Sequence, residues 1–141
     1  MGFRLKVEGP ETIELGIENI LTVEFSTDTP DDSNARSTDL GTSLRITGKI
    51  LTAVDGEEAD STMKLAQWSL VPGESADCYR KATVDVISAS QVVRQFHLPN
   101  AFIVDYTEDY GDEDGIGTFY LHMKQKKDKT PMVKFEGGFE E

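Results

Sequence analysis

Apolar and charged residues alternate along most of this chain, and that period of two limits what it can fold into. In Phe3-Arg4-Leu5-Lys6-Val7-Glu8 the apolar side chains fall on one face of an extended strand and the charged ones on the other, and Gly9-Pro10 closes the run. Ile13 and Leu15 repeat the pattern. In Ile20 to Phe25 it places Leu21, Val23 and Phe25 on one face and Thr22 and Glu24 on the other. Ser43 to Ile50, Tyr79 to Ile87 and Gln91 to Leu98 continue it, and Pro99-Asn100 is expected to break the chain before a separate strand from Ala101 to Tyr106. Ile116 to Gln125 and a short Val133 to Phe135 complete eight or nine strand segments. The fold class is therefore mainly β, an antiparallel barrel or two-sheet sandwich, with residues 1–141 as one domain.

The period changes once. Asp60 to Leu70 places Met63, Ala66 and Leu70 on one helical stripe with Leu65 and Trp68 beside it, Asp60 or Ser61 is positioned to cap it, and Pro72-Gly73 stops it. A single helix over about residues 61–70 flanks the strands, and Trp68 reads as a core plug.

Composition narrows the function. With 26 Asp and Glu against 14 Lys and Arg, the chain carries a net charge of −12, which argues against binding nucleic acid or anionic membranes through a basic surface. No apolar run is long enough for membrane insertion, and the start has no basic region followed by an apolar run, so a cytoplasmic protein is expected. The one cysteine, Cys78, fits no disulfide framework or zinc motif and reads as a small buried hydrophobe.

From 26 to 42 the composition becomes Ser-Thr-Asp-Thr-Pro-Asp-Asp-Ser-Asn-Ala-Arg-Ser-Thr-Asp-Leu-Gly-Thr, with Leu40 its only large apolar residue. Polar loops of this length are uncommon in small domains and are usually functional. This one reads either as a protruding hairpin or arm, or as a floppy linker.

Two charge features follow. Asp105, Glu108, Asp109, Asp112, Glu113 and Asp114 crowd one segment ending at Gly115, with no frame that meets the spacing of an EF-hand calcium loop. A solvated turn is expected there, and the alternative is a calcium- or carbohydrate-binding module with Asp105, Glu108, Asp109, Asp112 and Asp114 as weak calcium ligands. Lys124, Lys126, Lys127 and Lys129 then form a local basic turn, either a solvated tip or a positive edge that meets the negative edge of an identical subunit. Cys78, His97 and His122 lack any nucleophile or metal signature, so neither catalysis nor a cofactor is expected.

The layout resembles the tail-tube proteins of contractile injection machines, especially the haemolysin-coregulated protein of the type VI secretion tube and its phage-tail relatives. The resemblance rests on order and spacing over nearly the whole chain: strand Phe3 to Val7, strand Ile20 to Phe25 with the 26–42 loop, strand Leu44 to Ile50, helix Thr62 to Leu70, and strands from Tyr79 onward. The acid-rich segment 105–115 departs from it. It implies a non-catalytic subunit that forms homo-hexameric rings, stacks them into a hollow tube, meets other tube, baseplate or sheath components, and is released with an injection particle. The polar arm would then join subunits, with Thr29, Asp31, Asp32, Asn34, Arg36, Thr38 and Asp39 in the contact together with Lys126, Lys127 and Lys129.

Overall fold

The computed structural model describes residues 1–28, 41–50, 61–112, 116–126 and 134–140. Its strands are β1 (Gly2–Glu8), β2 (Ile13–Leu15), β3 (Ile20–Asp28), β4 (Gly41–Ile50), β5 (Arg80–Ser88), β6 (Gln91–Tyr110), β7 (Gly117–Gln125), β8 (Lys134–Glu136) and β9 (Phe139–Glu140). One helix, α1 (Thr62–Ser69), and a 3-10 turn at Ala76–Cys78 lie between β4 and β5. The fold is mainly β, as the alternation predicts, and its ladders are antiparallel in a single sheet ordered β2-β1-β5-β6-β7-β4-β3, with β8 and β9 also on β6.

β6 belongs to both halves of that sheet. Its first part pairs with β5 as far as Ala101, and from Ala101 to Tyr110 it pairs with β7. The expected break at Pro99-Asn100 is corrected to one continuous strand, because the β5–β6 register shifts there and the bulge accommodates a residue that cannot donate to the ladder.

Apolar rows cross each half. Leu15, Leu5, Val84 and Phe96 face one another across β2, β1, β5 and β6, and Val23, Ile46, Leu121 and Tyr106 do so across β3, β4, β7 and β6. The sheet folds over so that these rows share one core: Phe25 of β3 stacks on Phe96 of β6 at 4.8 Å and meets Phe135 of β8 edge-on at 5.1 Å. Gly48 is required where the β3 entry crosses β4, since a Cβ there would strike Asn19 and the Phe119 ring.

Three sequence expectations change in detail. Helix α1 buries Thr62, Leu65 and Trp68, leaving Met63 and Leu70 exposed, so the inward stripe is not the expected Met63-Ala66-Leu70. Trp68 decides the rotation: it is 2% exposed and its Nε1 donates to the Cys78 carbonyl at 3.0 Å. Ser61 occupies the cap position without a side-chain cap bond, and Asp60 lies outside the described residues. Leu21 is not inward, because a bulge between Ile20 and Thr22 turns it out to 49% exposure while Ile20 takes the core position. The Ser88-Ala89-Ser90 turn holds Ala89 and Ser90 at φ of 52° and 63°, a two-residue connection in the left-handed region.

Candidate assembly surface

Strand edges carry the first part of the surface. β3 ends the sheet path, so among the described residues it has a strand on one side only. At the other end of the β6-β7-β4-β3 layer, the β5 ladder stops at Ala101, and beyond it, among the described residues, β6 is paired on the β7 side alone. Among the described residues the layer therefore has two edges of different sequence, a geometry that templates strand addition unless something covers it.

The outward faces are polar and ordered in cross-strand rows. On β1, β5 and β6, the Arg4 guanidinium meets Asp85 at 3.0 Å and Asp85 also accepts from Gln95 at 2.8 Å. One row along, Lys6, Thr83 and His97 stand side by side, with Thr83 Oγ1 and His97 Nδ1 2.9 Å apart. These side chains floor an open groove of about 750 Å³ with Glu14 on its rim. Its lining carries the bases Arg4 and Lys6 and the acids Glu8, Glu14, Glu18 and Asp85.

The second layer carries the row Glu24, Arg45, His122 and Asp105 across β3, β4, β7 and β6. Arg45 reaches Glu24 at 3.3 Å and donates to Ser26 at 3.1 Å. His122 is 7% exposed, its Nδ1 stands 3.9 Å from Asp105, and among the described residues its Nε2 has no hydrogen-bond partner. Burial holds its pKa below the ordinary histidine value, Arg45 and Lys124 push the same way, and Asp105 opposes them.

The acidic segment is a strand for half its length. Asp105, Glu108 and Asp109 lie within β6, and Glu108 accepts hydrogen bonds from Tyr106 at 2.5 Å and Tyr110 at 2.7 Å. Asp112 follows on the exposed turn, and Asp114 lies outside the described residues. Among the described residues, no group of three or more His, Cys, Asp or Glu side chains is placed to hold a metal ion. Of the basic turn, Lys124 is exposed on β7 and Lys126 lies 5.1 Å over the Tyr79 ring, while Lys127 and Lys129 lie outside the described residues. The same holds for Thr29, Asp31, Asp32, Asn34, Arg36, Thr38 and Asp39 of the arm. Cys78 is buried, and no described helix is long and apolar enough to cross a membrane.

A second feature beside the β6 edge was not legible in the pattern. Trp68, Val71, Cys78, Tyr79, Phe102 and Ile103, with Ser69 and Gly73, line a cleft of about 250 Å³ between the end of α1 and β6. Tyr79 and Phe102 meet edge-on at 5.8 Å in its wall.

No family model and no curated protein matches the sequence. Solved structures match it in fold. Hcp1 from Flavobacterium johnsoniae aligns with a TM-score of 0.58 at 16% identity, covering 100% of both chains. This chain has the Hcp1 fold. A chain of the anti-feeding prophage baseplate gives 0.55 at 14% identity, covering 96% of this chain and 93% of that one. A chain of the sheath-tube complex of the PVC extracellular contractile injection system gives 0.51 at 13% identity, covering 97% and 89%. The resemblance read from element order thus holds for the fold.

Proposed function

We propose that this chain is a structural subunit that closes into a homo-hexameric ring and stacks into a hollow tube, without catalysis. One observation carries the reading: the fold is similar to that of Hcp1 along the whole chain, and among the described residues it leaves two unlike strand edges at opposite ends of one layer. Unlike edges favour head-to-tail contacts, which generate closed rings when the rotation closes. Its partners are further copies of itself and then tube, sheath or baseplate components. The ring forms in the cytoplasm and leaves with the injection particle.

The arm between β3 and β4, from Thr29 to Asp39, serves as the connector between subunits, and Lys126, Lys127 and Lys129 supply cations at the contact. Both parts draw support from composition: a polar excursion of this length has little use in a monomer, and a subunit of charge −12 needs local positive surface to meet its copies.

Light scattering coupled to sizing tests the reading. The expected mass is six times the 15.6 kDa chain, or larger stacks, with rings visible by negative-stain microscopy. A strict monomer at tens of micromolar would overturn it.

A further inference from the structure

Among the described residues β8 and β9 are held by β6 alone. Lys134, Phe135 and Glu136 pair with His97, Phe96 and Gln95, and Phe139 and Glu140 pair with Val92 and Gln91. Phe135 meets Phe96 and Phe25 edge-on at 5.6 and 5.1 Å, yet it stays 49% exposed and Phe139 stays 37% exposed, while their register partners Phe96 and Val92 are 9% and 1% exposed. A strand with so little of its own surface buried opens at lower cost than the sheet it covers. We propose that, on assembly, the β8–β9 segment of one copy leaves its own β6 and pairs with Gln91 to His97 of a neighbouring copy. The occupant is the same segment of a second copy, and the exchange rests on the ring reading above.

The edge of β6 is shaped for this sequence. A Cβ at Gly137 would strike the Val93 carbonyl, and Gly138, at φ 77°, donates its N–H to the Val92 carbonyl at 2.9 Å. Two phenylalanines four residues apart with two glycines between them therefore match one stretch of β6, and every copy carries that stretch. An exchange remakes these contacts without new chemistry, which is why strand swapping is a low-cost route to assembly.

Register shows that the connection has chain to spare. β5 holds one side of β6, so β7 and β8 follow each other along the opposite side, with Gln125 opposite Ala101 and Lys134 opposite His97. Nine steps of chain thus cover four steps of ladder. Extended, nine residues reach about 30 Å where the ladder takes about 13 Å, and the surplus exceeds the roughly 10 Å between packed sheets.

Disulfide trapping tests the exchange in a Cys78→Ser background. A chain with Gln91→Cys and a chain with Glu140→Cys are mixed as dilute monomers, assembled together and oxidised. The expected product is a covalent dimer of the two different chains, at least tenfold more abundant in the assembled sample than in the dilute one, and absent when either chain is oxidised alone. The double variant in one dilute chain is expected to close its bond internally, which shows that the pair is competent. Gln95→Cys with Glu136→Cys repeats the test at the other end of the segment. Rings that form with no cross-chain bond from either pair overturn the exchange and leave the ring intact, as does a dimer that forms equally well from one chain alone. A wild-type chain that never assembles removes both.

Discussion

The guanidinium of Arg80 lies 5.2 Å over the Trp68 ring, and the two side chains lock α1 onto the start of β5 from opposite directions. Arg80 Nε donates to the Asp77 carbonyl at 3.0 Å while Trp68 Nε1 donates to the Cys78 carbonyl at 3.0 Å, so consecutive carbonyls of the 3-10 turn are held by one stacked pair. Arg80 is 7% exposed, and burial lowers its pKa against the pull of Asp77 and Glu11.

Trp68→Phe keeps most of the apolar body but leaves the buried Cys78 carbonyl without its donor. The expected loss is at least about 1–3 kcal/mol, the usual cost of an unsatisfied buried group, to which the smaller ring adds its packing loss. Urea unfolding reads it directly, and a change within experimental error would show that the indole hydrogen bond contributes nothing.

His122 gives the fold a pH dependence of known sign. Its folded pKa lies below the ordinary 6.5, so the unfolded chain takes up this proton at a higher pH than the folded one. The stability that comes from keeping His122 neutral is fully present above about pH 6.5, and it is lost as pH falls from there to the folded pKa. His122→Gln is expected to flatten the slope of melting temperature against pH in that window. Equal slopes in the two proteins would place the pH dependence elsewhere.

At the β5–β6 turn, Ala89 and Ser90 both sit at positive φ, where L residues with a Cβ are strained and Asn-Gly is at ease. The double substitution Ala89→Asn with Ser90→Gly is expected to stabilise the protein by about 1 kcal/mol. A lowered urea midpoint would show that the turn is held by contacts beyond its own backbone.

Most strands were legible because a half-buried sheet leaves a direct record in alternation, as in Phe3-Leu5-Val7 against Arg4-Lys6-Glu8. What was not legible depends on tertiary contacts. Pro99 reads as a stop until its place at a bulge between β5 and β6 is known, and Met63 and Leu70 look as inward as Leu65 until Trp68 fixes the rotation of α1. Leu21 fits the alternation of β3 perfectly, and only the bulge at Ile20–Thr22 turns it outward. For the assembly surface, Lys124 and Lys126 stood out as a basic turn, but the cleft they border needs Trp68 and Phe102 brought together from distant parts of the chain.

The arm can be removed without touching the ladder that flanks it. Asp28 and Gly41 are register partners at the end of the β3–β4 hairpin, so replacing residues 29–40 with Asn-Gly supplies the two-residue connection that antiparallel strands prefer. The core rows through Phe25, Leu44, Val23 and Ile46 lie inside that ladder and keep their partners. The expected product is therefore a folded chain with wild-type far-ultraviolet circular dichroism and cooperative unfolding, but a lower assembly state by light scattering. An unchanged oligomer would show that the strand edges alone join the subunits and that the arm is not the connector.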